Sequence, residues 1–161
     1  MDALQLLREQ AAFTEDVTSQ VLAQVTNEHA AWRPEGSAGN TIGATAFHIY
    51  MTEDQLVSRA RGAEPLFERW KERLGVDPGS LWTASGLDMD QMRAYAAAVH
   101  ANTKQFLETA APADLEREVD TPRGRRTVAQ RLSLALVVHK ATHIGDVSAL
   151  LGCQGLKGFP F

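Results

Sequence analysis

The run TVAQRLSLALVVHKATHIGDVSALLG, residues 127–152, constrains the fold most, because it is apolar almost all round a helical wheel. Leu132, Leu134, Leu136, Val137, Ile144 and Leu151 cannot all face one partner, so the segment predicts a helix covered on several sides or joined to a second subunit. It should begin at about Thr127 and run to Leu151, with Gly152 ending it in the left-handed conformation. Inside this run His139 and His143 stand four residues apart. Side chains at that spacing share one helix face, with Cβ atoms about 6 Å apart.

Three further long helices follow from periodicity. Leu4, Leu7, Ala11, Val17, Val21 and Val25 recur at helical spacing, so a first helix spans Ala3–Val25 with Asp2 as its cap. A second starts at Asn40 or Thr41 and ends near Ala60 before Gly62. A third runs from about Met89 to Ala110, opened by Asp88 and Gln91 as a capping box and followed by Pro112. The segment TNEHAAWRPEGSAGN reads as a loop with at most one short turn. Between Gly62 and Leu87 lies a long connection of the kind that often acts as a crossover or a cover. Within it, EPLFERWKERLG reads as a short helix with Glu64 as cap, Pro65 at its first position and Gly75 as stop. The rest, VDPGSLWTASGL, is turn-rich, and Trp70 and Trp82 are expected to anchor the connection by packing. The chain is expected to be one all-α domain over residues 1–161.

Composition narrows the partners. With 161 residues, 44% of them apolar and 22% charged, the chain can bury a core. Its formal net charge is −4, and its one basic cluster is Arg123, Arg125 and Arg126, so nucleic acid is not an expected partner. Those arginines should lie some 20 Å from the two histidines. MDALQLLREQ lacks the features of a secretory signal, and no stretch is expected to approach the roughly 20 apolar residues that cross a bilayer. The one cysteine, Cys153, fits a reducing compartment, so the expected location is the cytoplasm, with the thiol packed in the tail and given no catalytic part.

The histidines carry the chemistry. His48 lies in the second helix on a face shared with Ala44, Met51 and Gln55, pointing inward. Two neutral imidazoles buried without partners would cost on the order of 1–3 kcal/mol each, whereas a metal ion uses both lone pairs. His48 supplies a third ligand, and three neutral nitrogens with an open position suit a catalytic zinc, nickel, iron or similar divalent ion. Lys140 after His139 removes the HExxH arrangement of zinc proteases, and no glutamate stands three residues before either histidine, so a di-iron site is not expected. Asp146 is a candidate to orient an imidazole or join the ligands, set against a solvent-facing carboxylate. His29, expected at the surface of its loop, and His100, at the margin of the third helix, stay outside the site.

A histidine in the second helix, followed by HxxxHxG at His139, His143 and Gly145, resembles the DinB-like, damage-inducible superfamily; so do the AWRP loop and the ending LLGCQGLKGFPF. The resemblance implies a four-helix bundle with a long crossover between helices two and three, often dimeric. It implies zinc or nickel held by His48, His139 and His143. Members with assigned activities include thiol-dependent S-transferases and a mycothiol-dependent isomerase. The leading expectation is therefore a metal-dependent transferase that joins a low-molecular-weight thiol to a small electrophile. A metal-dependent hydrolase or isomerase, and a non-catalytic metal-binding stress-response protein, remain the alternatives.

Overall fold

The computed structural model describes residues 2–76, 87–121 and 124–161. Trp82 with most of the turn-rich stretch around it, and Arg123, lie outside the described residues. The chain is all-α. Helix α1 spans Ala3–Ala23 and is capped by Asp2, whose carboxylate accepts from the Gln5 amide. Helix α3, Ile42–Arg61, is capped by Thr41 and closed by Gly62 in the left-handed region at φ 68°, where a side chain would be strained. Helix α5, Met89–Thr109, starts on Asp88, which accepts from the Asp90 and Gln91 amides. The Gln91 side chain accepts from Arg73 instead of completing a reciprocal box.

The loop before α3 contains a short helix, α2, Asn27–Ala31. His29 is half-buried there and caps it, its Nδ1 accepting from the Thr26 amide at 3.3 Å; it is not a surface residue of an open loop. In the crossover, α4 spans Phe67–Leu74 and ends on Gly75. Its cap is not Glu64. The Asp54 carboxylate, fully buried on α3, accepts from the Leu66 and Phe67 amides at 2.9 and 2.8 Å and from the Tyr95 hydroxyl. A long-range carboxylate thus replaces the expected local cap, and burial beside Asp54 raises the Tyr95 pKa far above its ordinary value. Trp70 packs on Tyr95, with ring centroids 5.9 Å apart, and anchors the crossover as expected.

After α6, Pro112–Glu116, a two-residue antiparallel ladder pairs β1, Glu118–Val119, with β2, Arg126–Thr127. The final long helix then follows in three parts: α7, Val128–Ser133, a π-helical turn over Leu134–His139, and α8, Lys140–Cys153. Val128, Leu132, Leu136, Lys140, Ile144 and Ser148 are all buried although they are spaced by four. On a regular α-helix such a row drifts by about 40° per step. The wider π turn absorbs part of that drift and keeps the row facing inward. The helix does not stop at Gly152. It runs to Cys153, and Gly155 at φ 79° takes the left-handed position, leaving Cys153 exposed instead of packed.

The four long helices pack on one another, α3 against α5 and α8, and α1 against α8 and α5. Val21, Phe47, Tyr50, Met92, Val99 and Val147 form the main core between them. One expectation needs correction: the helix Val128–Cys153 is 26 residues long and contains an 18-residue window of mean hydropathy 1.2, long and apolar enough to cross a membrane by length and composition alone. Polar residues such as His139, Lys140, His143 and Asp146 interrupt the apolar run, and an average over the window tolerates them. Here that helix packs on α1 and α3 and holds a buried, ion-paired lysine.

Candidate metal centre

Helix α3 contributes His48, and the last helix contributes His139, where the π turn ends, and His143, one α-turn later. All three are half-buried, and their potential ligand atoms lie within 4.8 Å of one another. Nε2 of His48 and Nε2 of His139 are 2.9 Å apart. Ring centroids are separated by 4.8, 5.0 and 4.5 Å, with interplanar angles of 63°, 84° and 80°, so the rings stand edge to face around a shared point. The fold brings together the three histidines that the sequence singled out, and His29 and His100 lie outside this group.

The donor set fits a divalent ion. Tetrahedral zinc at about 2.0–2.1 Å from each nitrogen places ligand atoms about 3.3 Å from one another, close to the His48–His139 spacing. Protonation would oppose binding, and the surroundings suppress it. Burial, followed by the neighbouring His143, lowers the His48 pKa. Burial, then His143, His48 and Lys140, lowers that of His139 from 6.5 to about 4. Both rings are thus neutral near pH 7, as metal ligands must be.

Asp146 shows features of both of its readings. Its side chain is 60% exposed, and Oδ2 sits 3.1 Å from Nδ1 of His143, within hydrogen-bonding distance of that ring. Nδ1 of His139, by contrast, is buried with no hydrogen-bond partner among the described residues.

One buried group was missed. Lys140, next to His139, points the other way and is 2% exposed. Its Nζ lies 2.5 Å from Glu15 on α1 and 2.5 Å from Glu53 on α3, the latter contact an ion pair rather than a well-directed hydrogen bond. Tyr50 donates to Glu15 and Thr103 to Glu53, so the carboxylates are held from both sides. On a regular helix Lys140 would turn about 120° away from Val128, so its burial follows from the π turn and was not readable from spacing.

His48 and His143 line a cavity of about 380 Å³ whose wall also includes Asp146, Thr45, Asn40 and Leu150.

Solved structures share the fold. A conserved protein from Enterococcus faecalis superposes with a TM-score of 0.76 at 20% identity, covering 94% of this chain and 99% of its own. A DinB-like protein from Bacillus subtilis superposes with a TM-score of 0.68 at 17% identity, covering 97% and 96%. No curated protein matches the sequence. The sequence model of the DinB superfamily matches residues 10–147, most of the chain, and the chain therefore belongs to the DinB superfamily.

Proposed function

We propose that the chain holds one divalent ion, zinc or nickel, through His48, His139 and His143, and acts as a thiol-dependent S-transferase or related detoxifying transferase on a small electrophile. The observation that carries this reading is the convergence of three imidazoles, two of them with lowered pKa, at a cavity of a size that admits a small molecule. A bound ion supplies a Lewis acid that makes a thiol or water nucleophilic at neutral pH.

The chain's own residues do the rest. Burial keeps His48 and His139 unprotonated, and Asp146 fixes the orientation of His143. Apart from the histidines, Asp146 is the one titratable side chain among the described residues lining the cavity, and it is engaged by His143. Among the described residues no separate general base is therefore at hand. A thiol, with an ordinary pKa near 8.5, needs less help to ionise than water, which favours thiol transfer over hydrolysis. A purely structural ion is disfavoured because the Lys140–Glu15–Glu53 ion pairs already tie α1 and α3 to the last helix.

Metal analysis of the purified protein, followed by assay of an electrophile with a panel of cellular thiols, tests the reading. It expects one ion per chain and turnover that disappears in His143→Ala while the helical melt survives. Metal binding without turnover for any thiol would favour the non-catalytic alternative. The reading also includes a homodimer. Leu6 and Phe13 on α1 and Leu134 and Val138 on the last helix are exposed, and a groove of about 510 Å³ runs along Leu6, Leu134 and Val138. Sedimentation at monomer mass at tens of micromolar protein would contradict it. A reduced thiol cosubstrate places the protein in the cytoplasm, and recovery of the protein outside the cell membrane would contradict that.

A further inference from the structure

The end of α3 and the start of α7 meet away from the histidines, and each brings an arginine to the meeting point. Arg59 follows His48 along α3 and Arg131 precedes His139 along the last helix, so they stand about 16 and 12 Å along their helices from the trio. Both line one cleft, whose other walls are Leu56 from α3, Val119 from β1, and Val128 and Leu132 from α7. Its volume is about 20 Å³, room for one or two water-sized groups. Neither guanidinium makes a hydrogen bond or an ion pair among the described residues. Burial, followed by the charge of Arg59, lowers the Arg131 pKa, so the two cations act on each other across the cleft.

The short ladder sorts charge around this cleft. Glu118 and Val119 are consecutive on β1 and leave opposite faces, and it is Val119 that lines the cleft. Arg125 takes the Glu118 carboxylate and also reaches Asp120, so both acids of the hairpin are engaged. Arg126 pairs with Val119 in the ladder, which sets it on the cleft side, and its guanidinium donates to the Arg125 carbonyl and not to an acid. In a chain of formal charge −4, this end of the bundle gathers cations over an apolar floor.

We propose that Arg59 and Arg131 bind the carboxylate of a small molecule whose short apolar chain enters the cleft, at a site separate from the histidines and independent of any metal there. A carboxylate between the two guanidiniums replaces their repulsion with attraction, and each planar fork offers paired N–H donors that match its two oxygens. Solvent keeps each exposed arginine contact weak, so the second arginine and the buried chain decide whether binding is measurable. The volume limits that chain to about two carbons.

The test titrates the full chain, with no metal added and at constant ionic strength, with formate, acetate, propionate and butyrate. Propionamide and inorganic phosphate serve as comparisons, and the methyl NMR signals of Leu56, Val119, Val128 and Leu132 are read. Affinity is expected to rise about tenfold from formate to propionate and to level off at butyrate. Propionamide and phosphate are each expected to bind about fivefold more weakly than propionate, the first for want of charge and the second for want of a chain. Arg59→Gln and Arg131→Gln should each lower propionate affinity about three- to fivefold with the helical melt unchanged, and the double variant should show no saturable shift. Propionamide or phosphate binding as tightly as propionate would overturn the proposal. So would a continued rise at butyrate, the absence of a saturable shift for every carboxylate, or unchanged propionate affinity in the double variant.

Discussion

His139 and Lys140 are neighbours in sequence, and they end in opposite kinds of polar site. Lys140 reaches two carboxylates, each held by a further hydroxyl, so its charge is answered inside the protein. His139 meets two other imidazoles and leaves Nδ1 without a partner. A buried polar group that is answered internally holds the fold together. One that meets only groups of its own kind, two of which line a cavity, has bonding capacity left for something from outside.

Breaking the answered site should have the largest effect. Lys140→Met leaves Glu15 and Glu53 without their cation, and the expected loss of stability is about 3–5 kcal/mol, measured by urea unfolding. A loss below about 1 kcal/mol would mean that the ion pairs do not tie the helices. Breaking the other site should act only when metal is present. His143→Ala is expected to leave the metal-free protein about as stable as before, yet to abolish the increase on adding zinc, about 2.7 kcal/mol when the free ion stands at a hundredfold its Kd. An unchanged increase in the variant would remove His143 from the ligand set.

Acid sharpens the comparison further. Folded His139 titrates at about 4 against 6.5 for the ordinary imidazole, so between those values the unfolded chain binds more protons than the folded one. Its contribution to stability is therefore complete above pH 6.5 and is lost as pH falls towards 4. Thermal melts of the metal-free protein from pH 7.5 to 4.5 should drop more steeply than those of His139→Gln, and parallel profiles would contradict the depressed value. The smallest effect belongs to Asp146→Asn. Because the side chain is exposed, zinc affinity is expected to fall about tenfold, the low end for a residue that orients a ligand. Competition with a chromophoric chelator measures it, and a hundredfold loss would make Asp146 a ligand in its own right.

What the sequence disclosed follows the same division. The trio was legible because two histidines at i and i+4 on a greasy face, with a third on another inward face, need partners, and because their pattern with Gly145 resembles the DinB-like superfamily. Helix ends at Asp2, Gly62 and Asp88 were legible because capping is local. The Lys140 pairs were not, since Glu15 lies 125 residues away and nothing near Lys140 in the chain names its partner. Asp54 capping α4 from another helix escaped for the same reason. The π turn was hidden in a row spaced by four, which looks like ordinary helical periodicity over any short window. The end of the last helix was misplaced because two glycines, Gly152 and Gly155, compete for it and only the latter adopts the left-handed conformation.

The central claim is that His48, His139 and His143 hold one ion together. Imidazole nitrogen NMR of the labelled protein during zinc addition tests it most directly. The expected result is that Nε2 of all three rings moves to the metal-bound position in concert and saturates at one equivalent, with His29 and His100 unmoved. Saturation with any of the three rings unchanged, or movement of His29 or His100 in its place, would contradict the account.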